Sequence, residues 1–149
     1  IMLLQIERDL GGLGLMPPCS TYHRFAVGMT GDKMSSSKPE STIFMDDEIE
    51  SMERKVKRAI SGGQPTVEEH RRLGGDVAKD VAFQYLQFFF ENDDRALAEV
   101  KSEYESGRML AGEVKQICID RATDWLTDIK QRRDQMEDSV ADFLAPDAI

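Results

Sequence analysis

Two lysines and three serines stand close together in the segment Thr30-Gly31-Asp32-Lys33-Met34-Ser35-Ser36-Ser37-Lys38-Pro39 of this 149-residue chain. Lysine offers a point charge, while serine hydroxyls and loop N–H groups add directional hydrogen bonds. Together they suit a polyanion, and a polyphosphate fits that inventory. Gly31 permits a bend with positive φ, and Pro39 stops a helix from growing back into the loop. The glycine spacing is not that of the GxxxxGK[ST] phosphate loop.

The flanking sequence must position this loop. Residues 2–10 mix Leu3, Leu4, Ile6 and Leu10 with Glu7, Arg8 and Asp9, which reads as a helix ended by Gly11-Gly12. Residues 20–27 alternate, with His23, Phe25 and Val27 on one face, as a strand does. The loop follows that strand directly, where α/β folds present ligand-binding loops. His23 on this face reads as a buried, hydrogen-bonded histidine, and His70, among acids and bases, as a solvated one.

Beyond the loop the chain reads as helical. Asp46 or Asp47 is placed to cap a helix reaching about residue 60, with Ile49, Met52, Val56 and Ile60 inward. Thr66 and Glu69 form a capping pair. Gly74-Gly75 suggests a hinge, with Asp76 capping an apolar run over 77–91 whose buried face holds Val81, Tyr85, Phe88 and Phe89. Asn92 or Asp93 caps 94–105. From Glu113 to Leu144 no Pro or Gly interrupts, which predicts one long helix with Val114, Ile117, Cys118, Arg121 and Trp125 on its stripe and its weakest point at 130–134. The fold expected is mostly α: the remnant of a Rossmann-like α/β domain over 1–45, then an all-α bundle over 46–149.

Lys33-Met34-Ser35-Ser36-Ser37 resembles the KMSKS signature of class I aminoacyl-tRNA synthetases. Thr21-Tyr22-His23-Arg24-Phe25, Lys38-Pro39-Glu40-Ser41, Ser61-Gly62-Gly63, residues 66–75, Phe83-Gln84-Tyr85-Leu86 and 110–115 extend the likeness, which is to tryptophanyl-tRNA synthetases of the archaeal and eukaryotic type. The resemblance implies activation of L-tryptophan by ATP, with Mg2+ accompanying the nucleotide, and transfer to tRNA(Trp). It gives Lys33 the catalytic role of steadying the leaving pyrophosphate, and assigns Met34, Ser35, Ser36 and Ser37 with Lys33 to ATP binding. It also implies a helical domain that contacts the anticodon, and a homodimer. Ser36 stands where the signature has its second lysine, so that charge is absent, and Lys38 is the nearest substitute. The HIGH-type motif is absent too. The chain therefore reads as the C-terminal portion of a longer enzyme, inactive alone. The tyrosine enzyme shares the loop and is the nearest alternative; Lys38-Pro39-Glu40-Ser41 and 66–75 favour tryptophan. A non-catalytic helical interaction module would instead leave Lys33 dispensable.

Composition constrains the partners. The net charge is −9, from 28 Asp and Glu against 19 Lys and Arg, which opposes broad nucleic-acid binding but leaves room for local basic patches. Arg71-Arg72, Lys130 with Arg132-Arg133, and Lys55-Lys57-Arg58 are the densest of these. The acidic surface is either salt-adapted or ordinarily acidic, and melting in rising KCl separates the two. Cys19 and Cys118 are isolated, so no zinc site is expected. No apolar run approaches membrane-spanning length and no signal peptide is evident, so the cytoplasm is the expected compartment.

Overall fold

The computed structural model describes residue 9, residue 21 and residues 26–136. Five α-helices make up most of this part: α1 Ile49–Arg58, α2 Val67–Leu73, α3 Val81–Tyr85, α4 Asp94–Glu105 and α5 Ala111–Met136. The mostly helical fold is as the sequence predicts. The strand expected over 20–27 lies largely outside the described residues, as do most of the 2–10 helix, His23, Cys19 and the final helix beyond 136. Within the described part, β pairing is one isolated antiparallel bridge, Val27 to Lys33.

The long helix α5 is the spine. It starts at Ala111 because Glu113 reaches back to the Leu110 N–H at 2.7 Å, the return half of a capping box. Its buried face is Val114, Cys118, Ile119, Ala122 and Leu126. Arg121, expected on that stripe, is turned outward and pairs with Glu91 at 2.9 Å, because the spacing of four carries the buried row through Ala122 instead. The helix continues through 130–134. α1 packs Met52 and Val56 against the spine, and α3 adds Val81, Ala82 and Phe83. Ile60 lies past the end of α1 and is exposed.

After α3 the chain makes a π-helical turn, Leu86–Phe90. The Glu91 N–H bonds the Leu86 carbonyl five residues back, at 2.9 Å. The wider turn rotates the phenylalanine run relative to an α-helix. Leu86 becomes the buried residue and Phe89 is left 45% exposed, contrary to the expected Phe88-Phe89 face. Phe90 meets Trp125 edge-on, with centroids 5.7 Å apart.

Several caps differ from the expected ones. Thr66 and Asp93 cap α2 and α4 as read from sequence. Asp80, not Asp76, caps α3; Asp76 closes the preceding turn onto the Ala78 N–H. Asp47 caps no helix: its carboxylate accepts from Lys55 and from the Phe44 N–H instead. Gly74-Gly75 is a close crossing rather than a hinge. Gly74 has φ +75° and a methyl group there would run into the Glu105 carbonyl, while the Gly75 N–H bonds the Tyr104 carbonyl at 2.9 Å.

His70 is buried, not solvated. Its Nε2 lies 2.9 Å from the Met109 carbonyl and its Nδ1 accepts from the Gln64 N–H. That pairing makes Nε2 the donor and Nδ1 the acceptor of the ring. Cys118 is a core residue as expected, and burial pushes its thiol up to about 12. A thiol raised in the folded state contributes stability that is complete below the unfolded value near 9 and is lost as pH rises towards 12. The urea midpoint is therefore expected to fall between pH 9 and 12, and less steeply in Cys118→Ala. An identical slope in that variant would exclude the thiol as the titrating group.

Candidate functional site

The signature loop is built by backbone hydrogen bonds around a tight turn. The Gly28 N–H bonds the Asp32 carbonyl at 2.6 Å and the Gly31 N–H bonds the Gly28 carbonyl at 2.8 Å, with Gly31 at φ +82°. That left-handed position is one glycine fills without strain. Met29 carries the turn into the core: its N–H bonds the Ser41 carbonyl, and its own carbonyl accepts from the Ile60 N–H. Met29 is 1% exposed. The loop thus shares one hydrophobic core with the helices.

The far side of the loop closes on Ser41, a residue whose role is not evident from sequence. Its hydroxyl donates to the Lys38 carbonyl at 2.7 Å and accepts from the Ser35 N–H at 3.3 Å. Meanwhile the Lys38 N–H bonds the Ser35 carbonyl, and Pro39–Ser41 forms a 3-10 turn. Ser35 Oγ and Ser37 Oγ are 2.8 Å apart. Ser41→Ala removes a buried hydroxyl that serves two backbone groups, and is expected to cost about 1–3 kcal/mol of stability. Urea unfolding measures this, and a loss of a few tenths would show that the loop holds without it.

Of the five expected site residues, Lys33, Ser36 and Ser37 are exposed, while Met34 and Ser35 are half-buried. Met34 points towards the helices and accepts a hydrogen bond from the Tyr85 hydroxyl at 3.3 Å. Lys33 and Lys38 have no carboxylate partner among the described residues. Beside them lies an open cleft of about 340 Å³ lined by Thr30, Asp32, Lys38, Pro39, Glu40 and Ser41. Lys38 is therefore in the cleft wall and Lys33 is on the adjoining strand-like segment. Glu40 would oppose an anion there, but Arg54 and Arg58 of α1 approach it at 3.4 and 3.8 Å. These two arginines screen its charge, a role only the packing of α1 reveals.

The stem after the loop is clamped by Lys55. Its side chain is 3% exposed, with the ammonium 2.8 and 2.6 Å from the Asp47 carboxylate oxygens and 2.9 Å from the Thr42 carbonyl. The Phe44 ring lies 4.9 Å away, a cation–π distance. Lys55 is thus removed from the surface cations that sequence offered for phosphates. Lys130 pairs with Glu48, Arg132 with Asp128 and Arg133 with Asp134, all pairs exposed on at least one side. Arg71 donates to the carbonyls of Gly107 and Arg108. Among the described residues no cluster of three or more His, Cys, Asp or Glu side chains could hold a metal ion, and no helix is long and apolar enough to cross a membrane.

The segment Lys33-Met34-Ser35-Ser36-Ser37 thus lies in a loop turned on Gly31, closed on Ser41 and set beside a cleft. The family model for tRNA synthetases class I (W and Y) matches residues 2–127, and the chain belongs to that family. Within it, the likeness is to the tryptophan enzymes. The tryptophan–tRNA ligase of Saccharolobus solfataricus is 43% identical over 143 residues, covering 93% of this chain and 38% of that protein. The tryptophan–tRNA ligase of Archaeoglobus fulgidus is 41% identical over 133 residues, or 89% of this chain and 31% of that one. The crystal structure of tryptophanyl-tRNA synthetase from Aeropyrum pernix superposes with a TM-score of 0.86 at 33% identity, covering 96% of this chain and 39% of that one. The chain spans less than half the length of each of these relatives.

Proposed function

We propose that this chain supplies the ATP-phosphate-binding loop and the tRNA-binding helices of a tryptophan–tRNA ligase, which joins L-tryptophan to tRNA(Trp) while ATP becomes AMP and pyrophosphate. Residues 1–45 end the catalytic domain and 46–149 form the helical one. The observation that carries the reading is that Lys33 and Lys38, on a loop folded around Ser41, have no carboxylate partner among the described residues. Most basic side chains of α1 and α5 are matched with carboxylates, whereas these two stay available to an anion.

In amino-acid activation a carboxylate attacks the α-phosphorus of ATP, and negative charge gathers on the departing pyrophosphate. Donors fixed where that charge develops lower the barrier. Lys33 supplies the charge, and the exposed hydroxyls of Ser36 and Ser37 with the loop N–H groups supply directed bonds. Mg2+ belongs with the ATP phosphates and comes with that substrate. On the tRNA side, exposed Arg72 of α2 and the Lys130, Arg132 and Arg133 end of α5 are the cations available to phosphates; surface ion pairs such as those at the end of α5 are worth about 0–1 kcal/mol and exchange readily. Pairing of two copies is carried over from the family resemblance.

Amino-acid-dependent ATP–pyrophosphate exchange tests the reading, in the protein extended to the length of its relatives, with tryptophan and tyrosine offered in parallel. Exchange with tryptophan alone supports it. Exchange with tyrosine alone moves the chain to the sister specificity, and exchange with neither gives the lead to a helical interaction module.

A further inference from the structure

Tyr85 stands where α3 gives way to the π-helical turn, and its side chain is almost wholly covered. Phe89 and Phe90 hold the ring, with centroids 5.3 and 6.2 Å away, and Phe90 rests in turn on Trp125 of α5. From this packing the hydroxyl reaches the Met34 Sδ at 3.3 Å, across 51 positions of sequence. Among the described residues this is the one side-chain hydrogen bond joining 33–37 to the helices. Met34 is also packed against the shared core, and the next residue back is Lys33. We infer that Tyr85 is a positioning residue for the phosphate-binding loop: through Met34 it seats the loop so that Lys33 is presented to the ATP phosphates.

Two features favour this over simple core packing. A thioether is a weak acceptor, so the bond adds little to the stability of the fold and can be exchanged during loop movement. It is also aimed at the loop and not at a neighbouring helix. Burial pushes the phenol up to about 12, so the hydroxyl remains a donor throughout any ordinary assay range. The inference rests on the reading of the loop as an ATP site. If the seated loop is the binding-competent form, loosening it lowers the competent fraction and raises the apparent dissociation constant in proportion.

The test is Tyr85→Phe in the protein extended to the length of its relatives, which removes one oxygen and keeps the ring. With tryptophan saturating and ATP varied, pyrophosphate exchange is expected to show KM for ATP raised about two- to threefold, the low end of what one lost hydrogen bond supplies. The effect falls on KM for ATP and not on kcat, KM for tryptophan or the melting temperature. Met34→Leu should raise KM for ATP similarly, and the double variant no further, since both break one contact. A purely structural tyrosine would lower the melting temperature and leave KM for ATP unmoved, and that result overturns the inference. So does a lowered KM, which would make the contact a brake on the loop. Lys33→Ala run alongside separates the two levels. If its exchange survives, the loop reading fails and takes the inference with it; if its exchange collapses while Tyr85→Phe behaves as the parent, the inference alone fails.

Discussion

Asp80→Ala is expected to remove about 3–5 kcal/mol of folding stability, a large part of what a domain of this size holds. The Asp80 side chain is fully buried and accepts from three donors on three segments. Its Oδ1 caps α3 through the Phe83 N–H at 3.0 Å; its Oδ2 takes the Gly62 N–H at 3.0 Å and the Tyr104 hydroxyl at 2.8 Å. One carboxylate thus ties the 61–64 loop, α3 and α4 together. Alanine would leave all three donors buried without an acceptor, each costing about 1–3 kcal/mol in desolvation, some of it recovered by relaxation. Among the described residues no cation is bonded to Asp80. The nearby Lys115 ammonium donates to the carbonyls of Lys57 and Ala59, and burial holds it below the usual lysine range while the field of Asp80 pulls the other way. Urea unfolding of Asp80→Ala, Asp80→Asn and Tyr104→Phe orders the contributions. Asparagine can keep the helix cap but not both bonds at Oδ2, so it should fall between. Tyr104→Phe, which removes one donor, should cost about 1 kcal/mol. A loss in Asp80→Ala no larger than in Tyr104→Phe would dismiss the carboxylate as the tie.

Asp80 shows which parts of this fold sequence discloses. Helices α1, α2, α4 and α5 follow from apolar spacing and from Thr66 and Asp93 as caps, because those signals act within a turn of the chain. Asp76 and Asp80 both precede the apolar run of α3, and periodicity cannot rank two aspartates four residues apart. The choice is made by Gly62 and Tyr104, which lie 18 and 24 positions away from Asp80. Lys55 and His70 follow the same logic. Each has an ordinary surface residue's neighbours in sequence, and each is buried because a distant acceptor is waiting, Asp47 for one and the Met109 carbonyl for the other. The phenylalanine run misled for another reason, since a π-helical turn breaks the 3.6-residue period on which the expected face depends. At the site, the signature residues 33–37 were legible as a motif. What seats them was not, because Ser41 and Tyr85 act through the loop's folded shape.

On the proposed function, Lys33→Ala in the protein extended to the length of its relatives is expected to reduce the rate of tryptophan activation by about 10²–10³-fold, or about 2.7–4 kcal/mol of transition-state stabilisation, the range for one lost charge-stabilising donor. Lys33 is exposed and has no carboxylate partner among the described residues, so its removal strands no buried group and the fold should be unaffected. The loss should fall on kcat, with KM for tryptophan unchanged, because in the proposed role Lys33 meets a charge that grows only as pyrophosphate leaves. Pre-steady-state formation of the adenylate, followed by rapid quench, measures it directly. Lys38→Ala then asks whether a second charge substitutes for the one missing at Ser36. Lys38 lines the cleft while its N–H and carbonyl are fixed by Ser35 and Ser41, so its ammonium is tethered near any phosphate bound there. A loss in Lys38→Ala approaching that of Lys33→Ala would show that this loop places its second lysine two residues late. Unchanged kinetics would mean that one lysine, helped by the serine hydroxyls and loop N–H groups, is enough. If Lys33→Ala itself activates tryptophan at the parent rate, the loop is not the pyrophosphate site, and the unpaired lysines must serve another anion.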